Sequence, residues 1–570
     1  MVRGIILRKT LLSLGLLLSS TFLAAAAKPN LILVTLDSTR ADRMGFLGAK
    51  PGITPNLDRL ASTSLVFEHA YAQAPGTVVS HATILSGAYP QATSMSEIGG
   101  SLPAALPYLP DLLKAQGYHT AAFVGSIQLD PRNGLAQGFD RGFQTYEAGF
   151  RPPIGGDAKP AVTTRSAGLV VSSALAWITR NAQGPMLVWI HLSDPQTASP
   201  SYGAAITATD TAIGKLLTGL KQQKLDANTA VLVVADHGES LGAHGEDGHG
   251  VFLYDETIHV PLLLKLAEAQ PTTKRIAAKV RLVDIAPTLL EVAGIPVPSQ
   301  MQGQSLLRIA KASTSADQPV YSRSDLPSRG FGWSPLESWR AGKFLYVRAP
   351  KPELYDLTAD PDATRNLAQS SKATLDTLAG QLDNFDRRFS GDAGKSSNAQ
   401  LNSAEMQKLA SLGYVGLQKS SGSSAAVIGT DPKDKIATAN KIADAAIAFD
   451  QGKGDRAIAA LTPLISSDPG LYLAEYTLGA ALAQKGQHAE AVKHLHKAIE
   501  LQPDSAWAHY RMGASLVKTG DFKTAAVHLE IAAERLPGFS PAHVALAEAY
   551  EKLGRAEDAK REKLRSGPAH

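Results

Sequence analysis

The chain has 570 residues, of which 44% are hydrophobic and 19% are charged, so it has ordinary globular composition and is too long for one average domain. Three of the basic residues behind its formal charge of +4 lie in the first nine positions, and the nearly neutral remainder argues against a nucleic-acid partner. The absence of cysteine excludes disulfides and thiolate metal ligands.

The N-terminus has the organisation of a secretory signal peptide. A basic start precedes an apolar stretch from Leu11 to Leu23, and small residues then offer an Ala25-x-Ala27 cleavage site. The alternative is an uncleaved anchor, but the apolar stretch is interrupted by serines and falls short of the roughly 20 residues that a spanning helix needs. We therefore predict a signal peptide over residues 1–27, a periplasmic or secreted mature chain, and no integral membrane segment in that mature form.

From Asn30 onward, apolar strand-like runs alternate with amphipathic helix-like stretches. This alternation predicts an α/β domain over residues 28–390, with a mostly parallel sheet between helical layers. In such sheets ligands gather at the carboxyl ends of the strands. Three of the predicted strands are followed closely by acidic or histidine residues, namely Asp37, Asp194 and the pair Asp236 and His237.

The C-terminal part begins with a shift to Ser, Gly, Ala and Lys over residues 391–435, which predicts a linker with one short helix, SAEMQKLASLGY. After the linker, glycine and alanine recur every 34 residues, at Gly452, Gly486, Gly520 and Gly554 and at Ala457, Ala491, Ala525 and Ala559. This period predicts about four tetratricopeptide repeats over residues 436–570. They would bind a protein or peptide partner on a concave surface, or serve as a spacer or dimerisation element.

The strongest local signal is VLVVADHGESLGAHGEDGHG, in which a buried strand delivers Asp236 and His237. A glycine-rich turn then brings back His244 and His249. Carboxylate and imidazole together suit a divalent ion such as zinc or manganese. An adjacent Asp-His pair is, by itself, also typical of a solvated turn.

Two further segments complete the candidate site. Asp37 ends the strand LILVTL, where it is either a ligand or the cap of the next helix. In AYAQAPGTVVSHATILSGAYP a loop runs into a helix that we predict to begin near Thr77. The Thr77 hydroxyl and the first N–H groups of that helix would then face an anion.

Six segments occur in an order that resembles the sulfatase family within the alkaline-phosphatase superfamily, and more narrowly bacterial sulfatase-like proteins fused to tetratricopeptide repeats. They are PNLILVTLDSTRAD, TPNLDRLASTSLVFEHAYAQAP, SHATILSGAYP, ADHGESLGAHG, VPLLLK and ELYDLTADPDATRNLA. The resemblance spans residues 29–416. It implies an alkaline-phosphatase-like three-layer fold followed by a small antiparallel subdomain containing FLYVRA and ELYDL.

The resemblance also locates the nucleophile. Sulfatases carry it in a C/S-x-P-x-R motif and oxidise it to formylglycine, but this position is Thr77 here, with Val79 and His81 at the Pro and Arg positions. Threonine cannot be converted to the aldehyde. Thr77 is similar instead to the threonine nucleophile of nucleotide phosphodiesterases and phosphoethanolamine transferases in the same superfamily.

The resemblance implies a single metal site of Asp37, Thr77, Asp236 and His237. The expected ion is zinc or manganese, with calcium as an alternative. His81 would replace the family arginine beside the ester oxygens, as a hydrogen-bond donor or general acid. His249 stands where sulfatases have a lysine and where the transferases have a zinc ligand, so it is a candidate catalytic residue.

A second metal or substrate contact would involve Asp194, His249 and His244. The sequence departs from the family here, because Gln196 replaces the histidine of Asp-Pro-His, and Ala205 and Ala208 replace Glu and Tyr. These changes remove side chains that relatives carry at the second metal and the substrate pocket. His191 or His244 would compensate, or each is structural.

Three functions remain open. The first is a metal-dependent hydrolase of a small or polymeric phosphate ester, with sulfate esters as further substrates. The second is a phospho-group transferase, although such transferases usually carry several membrane helices. The third is a degenerate scaffold whose repeats recruit partners, and a scaffold need not bind a stoichiometric ion.

Overall fold

The computed structural model describes residues 28–50, 52–133, 135–150, 163–197, 201–267, 273–312, 318–389, 402–412, 414 and 429–566. The predicted signal peptide and most of the predicted linker lie outside these residues. Within the part that is described, no helix has the length and apolarity needed to cross a membrane.

The main sheet has eight strands in the order β4-β3-β5-β1-β6-β7-β2-β8. All neighbouring strands are parallel except β7, which runs antiparallel to β2 and β6. The strands are β1 (Asn30–Leu36), β2 (Leu65–Tyr71), β3 (His119–Phe123), β4 (Thr145–Glu147), β5 (Met186–Leu192), β6 (Thr229–Ala235), β7 (His259–Lys265) and β8 (Lys274–Arg281). The predicted mixed, mostly parallel sheet is confirmed.

Central strands β1, β5 and β6 are buried at every residue, as expected where helices cover both faces of a parallel sheet. The helices are α1 (Pro55–Ala61), α2 (Thr77–Ser86), α3 (Pro90–Thr93), α4 (Leu109–Ala115), α5 (Ala167–Asn181), α6 (Asp194–Thr197), α7 (Tyr202–Gln222), α8 (Asp255–Ile258), α9 (Ile285–Val292), α10 (Leu306–Lys311) and α11 (Leu326–Phe331). Helices α1 and α5 both pack on α7, and α2, α4 and α9 form a second group.

A second, four-stranded antiparallel sheet follows in the order β12-β11-β10-β9. Its strands are β9 (Val320–Ser324), β10 (Leu336–Ala341), β11 (Phe344–Arg348) and β12 (Glu353–Asp356). Helix α12 (Lys372–Phe389) packs on it through a small aromatic core that includes Trp339. FLYVRA and ELYDL therefore form adjacent strands, as predicted.

Eight helices in four antiparallel pairs make up the C-terminal region, which confirms the predicted repeats. They are α14 (Ile436–Asp450), α15 (Gly454–Ser467), α16 (Tyr472–Gln484), α17 (His488–Leu501), α18 (Ala506–Thr519), α19 (Phe522–Arg535), α20 (Ser540–Lys552) and α21 (Ala556–Arg565). The recurring glycines lie between the two helices of each pair with φ from 74° to 88°, which explains the residue type. The recurring alanines are buried where the helices meet.

The predicted linker helix is α13 (Ser403–Ser411), which begins with a capping box between Asn402 and Glu405. It lies against α19, where Glu405 pairs with Arg535 at 2.9 Å and Lys408 pairs with Glu530 at 2.6 Å. The domain boundaries at 390 and 435 stay predictions.

Candidate active site

The candidate site lies where β1, β6 and α2 meet. Parallel pairing of β1 with β6 places Leu36 beside Ala235, so Asp37 and Asp236 leave neighbouring strand ends. Thr77 is the first residue of α2. Asp37, Thr77, Asp236 and His237 are all fully buried.

Short distances join these four side chains. Thr77 Oγ1 lies 3.4 Å from Asp37 Oδ1 and 3.3 Å from His237 Nε2. His237 Nε2 lies 3.5 Å from Asp37 Oδ1 and 3.7 Å from Asp236 Oδ2. The structure therefore brings together all four residues of the predicted metal site.

His237 presents a lone pair to this cluster. Its Nδ1 donates to the Gly238 carbonyl at 2.8 Å, so Nε2 carries no hydrogen in the neutral ring. Burial, together with the nearby charge of His249, lowers the pKa of His237 to about 3, so the neutral form persists at ordinary pH. An unprotonated Nε2 is the state that a metal ligand requires.

The two aspartates differ in their surroundings. Burial alone would raise the pKa of Asp37, but His191, His237 and His249 outweigh it and lower that pKa. Burial and the charge of Asp37 raise the pKa of Asp236 well above its usual range. Among the described residues, Asp236 Oδ2 has no hydrogen-bond partner, and the donor nearest to Asp37 Oδ2 is the His191 ring nitrogen at 3.3 Å. Two buried carboxylate oxygens with so little compensation fit a bound cation.

Among the described residues, two overlapping groups have the spacing to hold a metal ion. One is Asp37, Asp236 and His237, and the other is His81, His191 and Asp236. In the second group, His81 Nδ1 donates to the Thr77 carbonyl at 2.7 Å and His191 Nδ1 accepts from the Gly125 amide at 3.3 Å. These bonds place hydrogens on His81 Nδ1 and His191 Nε2, which favours the first group.

His81 does not occupy the position that the sequence predicted for it. Its Nδ1 is bonded to the Thr77 carbonyl, its Nε2 accepts from Thr35 Oγ1 at 2.9 Å, and the ring is fully buried beside Trp189. Both nitrogens are engaged within the protein, so His81 anchors α2 on the sheet rather than facing ester oxygens. The physical reason is that α2 packs on the sheet at this position, so the His81 ring lies within hydrogen-bond distance of Thr35 on β1.

His249 lies beside the group of Asp37, Asp236 and His237, and its imidazole is protonated. Its ring centroid is 4.3 Å from that of His237, and Nδ1 donates to Glu239 at 2.9 Å. Burial by itself would lower the pKa of His249, but Glu239 outweighs it and raises that pKa to about 9. A protonated imidazole cannot bind a metal, so this geometry favours contact with an anionic substrate over the predicted second metal.

The other two candidates for a second metal, His244 and Asp194, make contacts away from this group. His244 stacks on Tyr254 at 3.7 Å and bonds to Glu256 and the Ala363 carbonyl. Asp194 accepts from the Ala167 amide at 2.9 Å, at the start of α5. Neither belongs to a metal-spaced group, and the Gln196 side chain lies outside the described residues. These contacts favour structural roles for His244 and Asp194.

Sequence reasoning missed Glu97 and left His191 open. His191 Nε2 lies 3.3 Å from Asp37 Oδ2, which places its N–H next to the Asp37 carboxylate. Glu97 accepts from the amides of Val78 and Val79, in the first turn of α2, at 3.3 and 3.0 Å. No local pattern links Glu97 to a helix that begins 20 residues earlier, so only the tertiary structure identifies it.

Family profiles cover most of the chain. The Sulfatase profile matches residues 29–295, and the profile described as N-sulphoglucosamine sulphohydrolase, C-terminal, matches residues 245–386. Two profiles described as TPR repeat and Tetratricopeptide repeat match residues 479–520 and 516–562. The match to the two sulfatase-type profiles agrees with the resemblance of the ordered motifs.

Curated relatives carry sulfatase names. An ulvan-active sulfatase of Formosa agariphila is 27% identical, over 62% of this chain and 80% of that protein. A delta 4,5-hexuronate-2-O-sulfatase of Bacteroides thetaiotaomicron is 23% identical, over 63% of this chain and 88% of that protein.

Solved structures show the same fold. A 2-O GAG sulfatase aligns with a TM-score of 0.54 at 20% identity, over 64% of this chain and 93% of that chain. The phosphonate monoester hydrolase of Agrobacterium radiobacter aligns with a TM-score of 0.53 at 18% identity, over 63% of this chain and 96% of that chain. The fold, the ordered motifs and the profiles agree: this chain belongs to the sulfatase family, as a sulfatase-family hydrolase that carries C-terminal tetratricopeptide repeats.

Proposed function

We propose that the protein is an exported, metal-dependent ester hydrolase in which Thr77 is the nucleophile. The observation that carries this proposal is the position of Thr77 Oγ1, at the buried N-terminus of α2 and within 3.4 Å of Asp37 and His237. A hydroxyl in this position faces a fully buried cluster of two carboxylates and an imidazole.

The side chains that would hold the ion are Asp37, Asp236 and His237, with Thr77 as a further oxygen ligand. This mixed set of carboxylate, imidazole and hydroxyl suits zinc or manganese, and calcium is the alternative. When bound, a divalent ion lowers the pKa of a coordinated hydroxyl and offsets charge on the ester.

The residues of the chain supply the rest of the chemistry. Thr77 Oγ1 forms a bond to the central atom of the ester, and the ester oxygen leaves as an alcohol that carries the hydroxyl proton. Water then restores the threonine and releases the acid. His249, protonated and paired with Glu239, offers a positive charge to the ester oxygens.

Phosphate esters are the proposed substrates, because attack on phosphorus by a threonine does not depend on an aldehyde. Formylglycine chemistry expels sulfate by collapse of a carbonyl hydrate, and threonine has no such route. Sulfate esters are retained as further substrates, because two relatives named above are called sulfatases and act, by those names, on sulfate esters.

The first experiment measures metal content of the purified mature protein by mass spectrometry. It is paired with turnover of p-nitrophenyl phosphate, bis-p-nitrophenyl phosphate and p-nitrophenyl sulfate by wild type, Thr77→Ser and Thr77→Ala. We expect near-stoichiometric metal, phosphoester turnover that Thr77→Ser retains in part, and a loss of at least about 1000-fold in Thr77→Ala.

Two outcomes would oppose the proposal. Phosphoester turnover that survives Thr77→Ala would exclude the threonine nucleophile. Absence of both metal and turnover would favour the scaffold interpretation. Export is tested separately, by N-terminal sequencing of the protein recovered outside the cytoplasm, with cleavage expected after Ala27.

A further inference from the structure

The carboxylate of Glu97 accepts hydrogen bonds from the backbone amides that follow the proposed nucleophile. Glu97 Oε2 accepts from the Val78 amide at 3.3 Å and Oε1 accepts from the Val79 amide at 3.0 Å. These amides belong to the first turn of α2, immediately after Thr77. The free N–H groups of a helix N-terminus are the donors that an ester anion would otherwise use.

The glycine before α2 leaves room for the Glu97 carboxylate to reach these amides. Gly76 precedes α2, and a Cβ at that position would lie within 2.4 to 2.8 Å of the Glu97 side chain. Any larger residue would push Glu97 away from the amides. The contact is therefore a close fit between the loop that carries Glu97 and the start of α2.

The charge of Glu97 interacts with the residues around Thr77, because Glu97 lies close enough to influence the pKa of Asp236 and to be influenced by Asp37 and His249. Asp37 and Asp236 already place two buried carboxylates beside Thr77, and Asp37 Oδ1 lies 3.4 Å from its hydroxyl. The positive charge of His249 is already paired with Glu239 at 2.9 Å. A third carboxylate in this space penalises each further negative charge that a ligand brings.

We propose that Glu97 is a specificity-determining residue that restricts the site to tetrahedral esters bearing one negative charge. Phosphate diesters and sulfate monoesters carry one negative charge at neutral pH, whereas phosphate monoesters carry two. The preferred substrates are thus diesters and sulfate esters. This inference rests on the proposed function, since it concerns the ester that Thr77 attacks.

A purely structural role for Glu97 makes a different prediction. If Glu97 only caps α2, removing its charge would lower stability and would change turnover of all esters by the same factor. If Glu97 selects by charge, removing it would change the ratio between ligands of different charge. The ratio therefore separates the two roles.

The test compares wild type with Glu97→Gln, which keeps the shape and one acceptor, and uses Glu557→Gln on the exposed face of α21 as the control. The measured quantity is kcat/KM for p-nitrophenyl phosphate divided by that for bis-p-nitrophenyl phosphate. We expect Glu97→Gln to raise this ratio at least about tenfold and the control to leave it unchanged. An unchanged ratio in Glu97→Gln overturns the proposal.

A binding measurement makes the test independent of turnover. Tungstate and perrhenate are both tetrahedral oxyanions, with two charges and one charge, and their dissociation constants can be measured by calorimetry with the metal-loaded protein. We expect wild type to bind perrhenate at least as tightly as tungstate, and Glu97→Gln to shift the preference towards tungstate at least about tenfold.

The two measurements distinguish failure of the proposed activity from failure of the proposed role of Glu97. Absence of ester turnover combined with the expected shift in oxyanion preference would reject the proposed activity and retain Glu97 as the charge filter. Turnover without a shift in either ratio would retain the activity and reject the filter. If Glu97→Gln does not fold, a tungstate preference of about tenfold or more in wild type rejects the filter, and a perrhenate preference supports it.

Discussion

Asp37 and Asp236 face each other across the strand ends, and their different partners give them different charge preferences. Asp37 is held ionised mainly by His191, with the positive charge of His249 adding to this, whereas Asp236 has a raised pKa because of burial and the charge of Asp37. Without a cation, one of the two carboxylates is therefore destabilised. This cost explains why the pair suits a metal ion better than a hydrogen-bonded core.

We predict that Asp236→Asn greatly weakens metal binding and stabilises the metal-free fold. The amides of Ser38 and His237 bond to Asp236 Oδ1, and the oxygen of asparagine can still accept from them. The substitution removes the carboxylate that repels Asp37. Metal affinity, measured by chelator competition, should fall at least about 100-fold, and the midpoint of thermal unfolding of the metal-free protein should rise. Unchanged affinity would remove Asp236 from the ligand set.

A second residue-scale prediction concerns Glu246, which is 2% exposed and accepts from the amides of Val251 and Phe252. Burial raises its pKa from 4.5 to about 7. The unfolded state therefore loses this proton first, and stability falls as the pH rises from about 4.5 to about 7. The contribution is on the order of 3 kcal/mol.

Glu246→Gln should remove this part of the pH dependence. Gln presents an amide NH₂ to one of the two N–H donors, so the variant should be less stable overall. Its free energy of unfolding should change less between pH 5 and 7 than that of wild type. Denaturant unfolding at several pH values measures both effects. A variant whose stability falls with pH as steeply as that of wild type would contradict the assignment.

At the scale of elements, one hydroxyl joins two strands and helix α2, which begins at Thr77. Thr35 on β1 accepts from Trp189 Nε1 on β5 at 3.0 Å and donates to His81 Nε2 on α2 at 2.9 Å. His81 in turn donates to the Thr77 carbonyl. The position of the proposed nucleophile Thr77 thus depends on a buried chain of hydrogen bonds that crosses three elements.

Thr35→Val should break this chain while keeping the shape of the side chain. It leaves the indole N–H and the imidazole nitrogen buried without partners, and each such loss costs about 1–3 kcal/mol. We expect the free energy of unfolding to fall by about 2–5 kcal/mol, and Thr35→Ser to recover most of it. Equal losses in both variants would show that packing of the methyl group, rather than the hydroxyl, is what matters.

The repeats show how far local pattern predicts an element. Recurring glycines mark the turns and recurring alanines mark the helix contacts, and both signals depend on neighbours within 34 residues. The strand-to-helix step at Thr77 was predictable for the same reason. The direction of the His81 side chain was not, because it depends on Thr35, which lies 46 residues away in the chain.

At the scale of the whole molecule, the repeats contact the loops of the catalytic domain. Asn440 on α14 donates to the Gly245 carbonyl at 2.8 Å and accepts from the Asp247 amide at 3.2 Å. Arg329 on α11 pairs with Asp504, between α17 and α18, at 3.0 Å. The turn that carries His249 is therefore held from outside by the first repeat. The predicted protein or peptide partner of the repeats stays a prediction.

We predict that Asn440→Ala loosens this turn. Hydrogen exchange of residues 242–250 should become faster by about fivefold or more, because two hydrogen bonds that brace the turn are lost. Lys441→Ala, at the exposed neighbouring position of α14, is the matched control and should leave exchange unchanged. Equal exchange in both variants would mean that the catalytic domain orders the turn without the repeats.

The sequence alone predicted the sheet class, the small second sheet, the repeats and the grouping of Thr77 with Asp37, Asp236 and His237. These features follow from periodicity, from motif order and from the rule that parallel strand ends meet at one edge. Only the tertiary structure decided that His81 faces the sheet, that His249 is paired with Glu239, that His244 and Asp194 lie apart from the metal group, and that Glu97 covers the start of α2. These contacts join residues whose separation in the chain leaves no periodic signal, and their energies depend on burial and on the charges of neighbours that the fold alone brings together.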